Sequence, residues 1–304
     1  MKLLRTVIGS YPPLWKNDNE EEIKNAIKIA VEDQLAANID LISDGQVRYD
    51  MVQYFTRRLE GFEVRGKESF IIGKVKPTDD DLLVKDFKFV KSLVETRAKI
   101  KGIITGPVTL VFSSKLDKNA PYSGFKDETL YLDVAEALKN EALKLQQAGV
   151  DAIQIDEPFY SIGAPMDLAK KAVETITSDL KVPVALHACG KITRVFDNLL
   201  DFEGVDILSH EFAASPENFD VVTKEKLEDH GKKLGVGCVK ANDPRVESID
   251  FVVSILENAI KRVGIENIIV HPDCGLRILT REIAFNKLKV MDTGVKKIEE
   301  KYSS

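Results

Sequence analysis

The sequence predicts an α/β protein that folds as a single (β/α)8 TIM barrel. Short apolar runs, which are typical of buried strands, alternate with longer stretches whose apolar residues recur at helical spacing. A chain of 304 residues is within the usual size range of such a barrel. No glycine-rich turn follows the first strand, which argues against an open doubly wound sheet. We therefore expect one barrel domain over residues 1–304.

The strands and helices can be placed in order along the chain. Strands are predicted over residues 3–9, 39–43, 100–105, 152–155, 182–187, 205–209, 234–239 and 267–270. Helices are predicted over residues 18–37, 128–148, 166–178, 193–200, 250–263 and from 281 onward. Asp18 and Asn19 are typical of a helix start, and Gly149 is typical of a helix end. After the second strand, residues 62–74 interrupt the repeat and predict a β-hairpin around Gly66.

The charge and composition argue against several classes of protein. A formal net charge of −6 lacks the basic excess of nucleic-acid-binding proteins, so no nucleic-acid partner is expected. No apolar run approaches the roughly 20 residues that cross a bilayer, and no segment has the order of a signal peptide. Three cysteines are too few for a disulfide framework in a chain of this length. We expect a cytoplasmic protein with reduced thiols and no membrane association.

The fifth predicted strand runs into the segment His187-Ala-Cys189-Gly190. Because side chains alternate along a strand, His187 and Cys189 are expected on the same face, at the carboxyl end where barrels place their sites. Imidazole and thiolate are both zinc ligands. The plain alternative is a buried histidine beside a buried cysteine, and this segment alone does not exclude it.

Two more strands end in residues that can bind a metal. Glu211 follows the sixth strand and Cys274 follows the eighth. An unpaired glutamate is costly to bury, and three strands would bring imidazole, thiolate and carboxylate groups to one rim of the barrel. A site for one zinc ion per chain is therefore predicted, with His210 as an alternative to Glu211. Other candidates are expected to be structural or at the surface: His271, His230 and Cys238.

Acidic and small residues end two further strands. Asp156 and Glu157 close the fourth strand, and alternation allows one of them to face the barrel mouth. We assign that position to Asp156, as a carboxylate that receives a substrate ammonium group; the alternative is a loop acid that caps the next helix. Ile8, Gly9 and Ser10 end the first strand and could hold a carboxylate, although a plain turn explains them equally well.

Several short segments, taken together and in order, resemble a known family. They are Ile-Gly-Ser at 8–10, Ser-Asp-Gly at 43–45, Asp-Met-Val at 50–52, Thr-Gly-Pro at 105–107, Gln-Ile-Asp-Glu-Pro at 154–158, His-Ala-Cys-Gly at 187–190, Glu211, and His-Pro-Asp-Cys-Gly-Leu at 271–276. Over nearly the whole chain the set is similar to the catalytic half of cobalamin-independent methionine synthase. The resemblance implies a (β/α)8 barrel that forms L-methionine by methyl transfer to the thiolate of L-homocysteine.

The resemblance also implies roles for individual residues. The zinc ligands that it implies are His187, Cys189, Glu211 and Cys274. The substrate-binding residues that it implies are Ile8, Gly9, Ser10 and Asp156, with Asp156 also counted as catalytic.

Three departures from the family pattern bear on the chemistry. The chain has one barrel where the full-length family has two, and the missing barrel helps to hold the folate. Gln46 stands where the family has a substrate-binding glutamate, so it can accept a hydrogen bond but cannot pair as a charge. Asn242 stands where the family has its proton-donating histidine, and asparagine cannot deliver that proton.

These departures lead to an expectation about the methyl donor. A methyl group on the amine of methyltetrahydrofolate needs a general acid before it leaves, whereas methylcobalamin does not. We expect methylcobalamin or a methyl-corrinoid protein as the co-substrate, with Glu211 as the labile ligand that substrate sulfur displaces. The alternatives are methyltetrahydrofolate as the donor, a coenzyme M-type thiol alkyltransferase, or a barrel whose zinc is purely structural.

Overall fold

A computed structural model gives the structure of residues 2–303; Met1 and Ser304, the ends of the expected domain, lie outside the described residues. The strands are β1 (Leu4–Arg5), β2 (Leu41–Ile42), β3 (Glu60–Arg65), β4 (Glu68–Lys76), β5 (Lys99–Thr105), β6 (Ser114–Leu116), β7 (Ala152–Asp156), β8 (Val184–His187), β9 (Ile207–Glu211), β10 (Lys233–Gly237) and β11 (Ile268–His271). The helices are α1 (Glu20–Ala36), α2 (Met51–Thr56), α3 (Leu82–Val94), α4 (Pro107–Phe112), α5 (Glu128–Ala148), α6 (Met166–Thr177), α7 (Phe196–Leu200), α8 (Lys224–Asp229), α9 (Ile249–Val263) and α10 (Arg281–Tyr302). Short 3-10 helices cover Pro158–Ile162, Pro216–Asp220 and Ile265–Asn267.

Eight of the strands form a sheet in the order β1-β11-β10-β9-β8-β7-β5-β2. Neighbouring strands in this sheet run parallel, from Leu4 beside Ile269 at one edge to Leu41 beside Lys99 at the other. A parallel bridge between Thr6 and Leu41 joins the two outer strands, and Thr6 Oγ1 donates a hydrogen bond to Leu41 O at 2.7 Å. The sheet therefore closes, and the predicted (β/α)8 barrel is confirmed.

Alternation along the strands separates an apolar outer face from a more polar interior. Asp156 and His187 point into the barrel mouth, where they line a pocket. The residues just before them, Ile155 and Leu186, must point the opposite way, toward the helices, and both are fully buried. The hydrophobic core thus lies between the strands and the surrounding helices, which leaves the interior near the mouth free to hold polar groups.

Capping residues set the bounds of the predicted helices. Asp127 caps α5 by accepting the N–H of Thr129 at 3.0 Å, and Gly149 ends the helix with a φ of +92°. Asn19 caps α1 by accepting the N–H of Glu22 at 2.9 Å. Both helices occur where the sequence predicts them. Within residues 2–303, no helix is both long and apolar enough to cross a membrane.

The segment between β2 and β5 departs from the simple repeat. β3 and β4 form the predicted hairpin, with Phe62 opposite Ile71, and β6 extends it to a small separate sheet. α3 then fills the place of the second barrel helix, with its buried apolar side chains at Leu83, Phe87, Val90 and Val94. Sequence reasoning missed α3, although aspartates precede it and Asp80 accepts the N–H of Leu82 at 2.8 Å, which is a usual signal for a helix start.

Gln34 holds the end of β2 near the seam of the barrel. This side chain on α1 is 1% exposed. Its Nε2 donates to Ala30 O at 2.9 Å and to Ser43 O at 3.0 Å, and its Oε1 accepts the N–H of Ser43 at 2.9 Å. One amide therefore satisfies both backbone groups of Ser43, where β2 leaves the sheet and turns toward the barrel mouth.

We expect Gln34→Leu to lower the free energy of unfolding by about 2 kcal/mol, because it leaves two buried backbone groups without partners. Urea denaturation measures this value. Asn25→Leu is the matched control, since Asn25 is an exposed amide side chain on the same helix, and we expect a change below about 0.5 kcal/mol. Equal effects of the two substitutions would contradict a stabilising role of the hydrogen bonds between Gln34 and Ser43.

Candidate active site

The carboxyl ends of neighbouring strands meet at one level of the barrel. In the parallel register Asp156 on β7 lies beside His187 on β8, and His187 lies beside Ser209 on β9. Cys189 lies two residues past the end of β8, and Cys274 lies three residues past the end of β11. The sheet thus delivers side chains from separate strands to one rim, where barrels place their active sites.

Three of the predicted metal ligands form a compact group. The ligand atoms of His187, Cys189 and Cys274 all lie within 4.8 Å of one another. His187 is 2% exposed, and its Nδ1 lies 3.1 Å from Ser209 O, so it donates its hydrogen there. The buried Nε2 has no hydrogen-bond partner of its own among residues 2–303. A neutral imidazole with a free Nε2, together with two cysteine sulfurs, is a donor set that fits zinc.

The protonation of the group follows from its contacts. Contact with Cys274 lowers the pKa of Cys189, against the opposing effects of burial and the charge of Glu211. Contact with Cys189, followed by burial, raises the pKa of Cys274 well above its ordinary value. Burial lowers the pKa of His187, but Cys274 and the charge of Asp156 outweigh it, and the net shift is upward. Of the two cysteines, Cys189 is therefore the one that loses its proton more readily.

The fourth predicted ligand stands beside this group and is not part of it. Glu211 occupies the last position of β9 and is half-buried. Its Oε1 accepts a hydrogen bond from Ser215 Oγ at 2.5 Å, and its backbone oxygen accepts one from Asn218 Nδ2 at 2.8 Å. The carboxylate is therefore held by the turn that follows its own strand.

His210 does not replace Glu211 in the structure. It points to the opposite face of β9, where its ring packs against Phe196 with ring centroids 6.0 Å apart, and its Nδ1 lies 3.0 Å from Ala188 O. Burial lowers the pKa of His210 to about 4, so this ring is a neutral packing residue. The remaining candidates are a fully buried His271 with Nδ1 2.7 Å from Pro272 O, a fully buried Cys238, and His230 at the end of α8.

A pocket open to solvent lies above the group. It has a volume of about 730 Å³ including its mouth, and Ile8, Ser10, Gln46 and Asp156 line it together with the three ligands. Gly9 supports the pocket from behind: a Cβ there would lie 2.8 Å from Gln46 Oε1, so only glycine lets that side chain pack so closely. Asn242 is exposed in the loop after β10 and is not among the residues that line the pocket.

The two adjacent acids after β7 separate as alternation requires. Asp156 lines the pocket, whereas Glu157 turns away and caps α4. Glu157 Oε1 accepts the N–H of Val108 at 2.9 Å, and its Oε2 accepts the N–H of Thr109 at 2.9 Å. Burial raises the pKa of Glu157 to about 7, against these hydrogen bonds. Glu157 is thus an acid that caps a helix, although that helix precedes it in the chain and is not the next helix named in the alternative for Asp156.

Sequence reasoning missed the buried network under Asp156. Gln154 Nε2 donates to Asp156 Oδ1 and to Ile8 O, each at 2.6 Å. Lys101 on β5 is 5% exposed, and its ammonium group donates to Gln154 Oε1 and to Val7 O. Burial lowers the pKa of Lys101 to about 7, which the charge of Asp156 partly offsets. A lysine within the apolar run of β5 was the signal that could have revealed it.

Arg277 is a second residue that sequence reasoning missed. It follows Cys274 in the same loop and lines the pocket, where its Nη1 donates to Gln46 O at 2.8 Å. Burial lowers its pKa, against the charge of Asp50. Arg277 therefore fixes the backbone of Gln46, which adopts a left-handed φ of +43°, and gives the mouth of the pocket a positive charge.

Comparison with known proteins identifies relatives that match this chain over nearly their whole length. The family described as "Cobalamin-independent synthase, Catalytic domain" matches residues 13–297. A methionine synthase of Methanothermobacter marburgensis is 41% identical over 307 residues, which cover 95% of this chain and 98% of that protein. A methionine synthase of Methanocaldococcus jannaschii is 38% identical over 324 residues, which cover 98% of this chain and 100% of that protein.

A solved structure shares both the fold and part of the sequence. It is a B12-independent methionine synthase from Shewanella sp. W3-18-1 in complex with selenomethionine. The match has a TM-score of 0.85 at 26% identity and covers 100% of this chain and 99% of that chain. Fold and sequence therefore point to the same group of proteins.

These relatives correct the expectation about the methyl donor. Methylcobalamin or a methyl-corrinoid protein is the wrong co-substrate, because the matching family is cobalamin-independent and the Shewanella protein is B12-independent. The physical reason for the error is that Asn242 only marks the absence of an acid at that position, and an absence does not identify a donor. The chain belongs to the cobalamin-independent methionine synthase family, whose catalytic domain it matches, and it is a methyltransferase.

Proposed function

We propose that this barrel binds one zinc ion through His187, Cys189, Cys274 and Glu211 and methylates the thiol of L-homocysteine to form L-methionine. The observation that carries the proposal is the group of imidazole and thiol ligands within 4.8 Å of one another at the barrel mouth. Methionine synthases that match this chain over nearly their whole length are its relatives, which supports residues 1–304 as one catalytic barrel.

The chemistry needs a thiolate at neutral pH. A free thiol has a pKa near 8.5, so it is mostly protonated at pH 7, and the thiolate is the nucleophile. Bound zinc would supply the deprotonation of the substrate thiol. Two thiolates, one carboxylate and a neutral imidazole leave such a site with a formal charge of about −1, so the substrate sulfur keeps much of its nucleophilicity. The Ser209 carbonyl holds a hydrogen on Nδ1 of His187, so Nε2 is the atom that would bind the metal.

The pocket offers partners for the amino-acid part of homocysteine. The buried Asp156 carboxylate would receive the ammonium group, and the neutral Gln46 would accept a hydrogen bond from it. Ser10 Oγ would donate to the substrate carboxylate beside Ile8. The complex of the Shewanella protein with selenomethionine, the selenium analogue of methionine, supports an amino acid in such a pocket. A coenzyme M-type thiol has no amino group and would leave Asp156 without a partner.

Lys101 and Gln154 would prepare Asp156 for this role. Burial raises the pKa of Asp156, while His187, Gln154 and Lys101 lower it. The Gln154 amide fixes one carboxylate oxygen, and the buried ammonium group of Lys101 lies behind that amide. The net shift of the Asp156 pKa is upward, so these contacts offset part of the cost of ionising the buried carboxylate, and pairing with the substrate ammonium group would offset more of it.

Metal content tests the proposed ligands directly. We expect about one zinc ion per chain in the wild-type protein, and X-ray absorption at the zinc edge should gain one sulfur neighbour when L-homocysteine is added. Cys274→Ala removes one of the three clustered ligands, so the affinity for zinc should fall by more than the factor of about 10–100 that is typical when only a supporting partner of a ligand is lost.

Cys238→Ala is the control for loss of a thiol, because Cys238 is fully buried and lies outside the ligand group. It should keep both the zinc and the response to homocysteine. A zinc affinity that is unchanged in Cys274→Ala, or a zinc environment that ignores homocysteine, would show that the site is not the one proposed.

The role of Asp156 is tested by pairing a substitution with a ligand that lacks the amino group. Asp156→Asn should weaken homocysteine binding by about 30-fold, because a buried charge-assisted pair contributes about 2 kcal/mol. Binding of 4-mercaptobutanoate, which is homocysteine without its amino group, should change less than about twofold. Calorimetry on the zinc-loaded protein measures both constants. Equal losses for the two ligands would mean that Asp156 only maintains the pocket.

Lys101 predicts a pH-dependent contribution to stability. Its pKa is about 7 in the folded protein and about 10.4 in an unfolded chain, so between these values the unfolded state binds more protons. The free energy of unfolding of the wild-type protein, relative to Lys101→Met, should therefore rise between pH 7 and pH 10, by up to about 1 kcal/mol per pH unit.

Urea denaturation across this pH range provides the comparison. Lys99→Met is the control for loss of a lysine from the same strand, since Lys99 is exposed. A wild-type free energy of unfolding, relative to that of Lys101→Met, that stays constant or falls as the pH rises would contradict a lysine whose pKa is lowered by burial.

A further inference from the structure

We propose that Ser215 is a positioning residue that stores the Glu211 carboxylate away from the three clustered ligands and so controls its exchange with substrate sulfur. The inference rests on the proposed function, and in particular on Glu211 as the ligand that homocysteine replaces. It assigns the storage of the displaced carboxylate to a named hydroxyl group of this chain.

The first observation is the hydrogen bond itself. Ser215 Oγ donates to Glu211 Oε1 at 2.5 Å, while the ligand atoms of His187, Cys189 and Cys274 gather without Glu211. A half-buried carboxylate needs a partner, and a charged acceptor makes this kind of hydrogen bond strong. The carboxylate therefore has a defined position beside the metal site.

The second observation is that, within residues 2–303, the Ser215 hydroxyl donates no hydrogen bond besides the one to Glu211. Ser215 precedes the 3-10 helix Pro216–Asp220, where a serine would ordinarily cap the first turn. Its side chain makes no capping hydrogen bond there. The hydroxyl donates to Glu211 instead. Removing it therefore takes a hydrogen bond from the carboxylate, while the 3-10 helix loses no hydrogen bond.

The third observation is that the backbone on both sides of Glu211 is fixed. Asn218 is fully buried, and its Nδ2 donates to Glu211 O at 2.8 Å and to Gly190 O at 3.0 Å. Its Oδ1 accepts the N–H of Ile192 at 3.0 Å. The strand end that carries Glu211 is thereby tied to the loop that carries Cys189.

The loop of Cys274 makes a matching tie from the other side. Asp273, which is 1% exposed, accepts hydrogen bonds from successive backbone N–H groups of the turn between Glu211 and Ser215. The donors are Phe212 at 3.1 Å, Ala213 at 3.1 Å and Ala214 at 2.8 Å. With the backbone held on both sides, exchange of Glu211 is a change of side-chain torsions, between the metal site and Ser215.

This arrangement predicts opposite changes in two binding constants when the hydroxyl is removed. In the zinc-free protein the Ser215 hydrogen bond stabilises Glu211 off the metal site, so Ser215→Ala should tighten zinc binding by about tenfold. With homocysteine bound, the displaced Glu211 carboxylate loses its hydrogen-bond donor, so homocysteine binding should weaken by about tenfold. A hydroxyl that only supports the local structure would weaken both constants or neither.

The experiment measures zinc affinity by competition with a chelator and homocysteine affinity by calorimetry on the zinc-loaded protein. Ser215→Thr keeps the hydroxyl and should restore both wild-type values. In a Glu211→Ala background, Ser215→Ala should change neither constant, because the carboxylate it stores is gone. Ser161→Ala is the matched control, since Ser161 also lies beside the Cys189 loop but bonds to Pro158 O.

The outcomes separate this inference from the proposed function. Wild-type protein that binds no zinc, or whose zinc gains no sulfur from homocysteine, overturns the proposed function and the inference with it. Wild-type protein that does both, with Ser215→Ala shifting the two constants in the same direction or by less than about twofold, overturns the inference alone. Opposite shifts that vanish in the Glu211→Ala background establish it.

Discussion

The parallel register of β7, β8 and β9 is the constraint on which the rest of the site depends. It sets Asp156, His187 and Ser209 side by side at the carboxyl ends of their strands. The Ser209 carbonyl accepts both the N–H of Ala188 and the Nδ1 hydrogen of His187, each at 3.1 Å. The carbonyl that orients the imidazole thus also belongs to the hydrogen bonds between β8 and β9. The orientation of His187 is therefore as rigid as the sheet.

A barrel interior that holds charge has to compensate the loss of hydration. Asp156 lies at the mouth, and the ammonium group of Lys101 lies below it, with Gln154 bonded to both. Burying either charge alone would be costly, whereas the network lets each polar group find a partner. The same chain of contacts reaches the backbone of Val7 and Ile8, so the floor of the pocket is tied to the end of β1. The polar interior therefore lowers the stability of the fold, and it fixes the position of the Asp156 carboxylate.

The sequence predicts what local rules determine and misses what distant contacts determine. Strand alternation places His187 and Cys189 on one side, and capping residues give the bounds of α5. Asn218 could not be recognised, because its partners Gly190 and Glu211 meet it only when the barrel closes. The methyl donor could not be derived either, because an asparagine at position 242 does not identify the molecule that donates the methyl group. Local rules therefore predict the strands, the helices and the positions of His187 and Cys189. The hydrogen bonds that hold the loops around them depend on tertiary contacts.

The four proposed ligands differ in how much freedom the chain leaves them. Cysteine and histidine side chains are short, and those at the mouth are anchored near strand ends. Glutamate is longer, so it can turn away while its backbone remains fixed by Asn218 and Asp273. A site that accepts a new sulfur ligand must release an old one, and releasing a half-buried carboxylate is costly unless another donor receives it. The structure supplies that donor four residues further on, at Ser215, so ligand exchange can occur without moving the strands that hold the other three ligands.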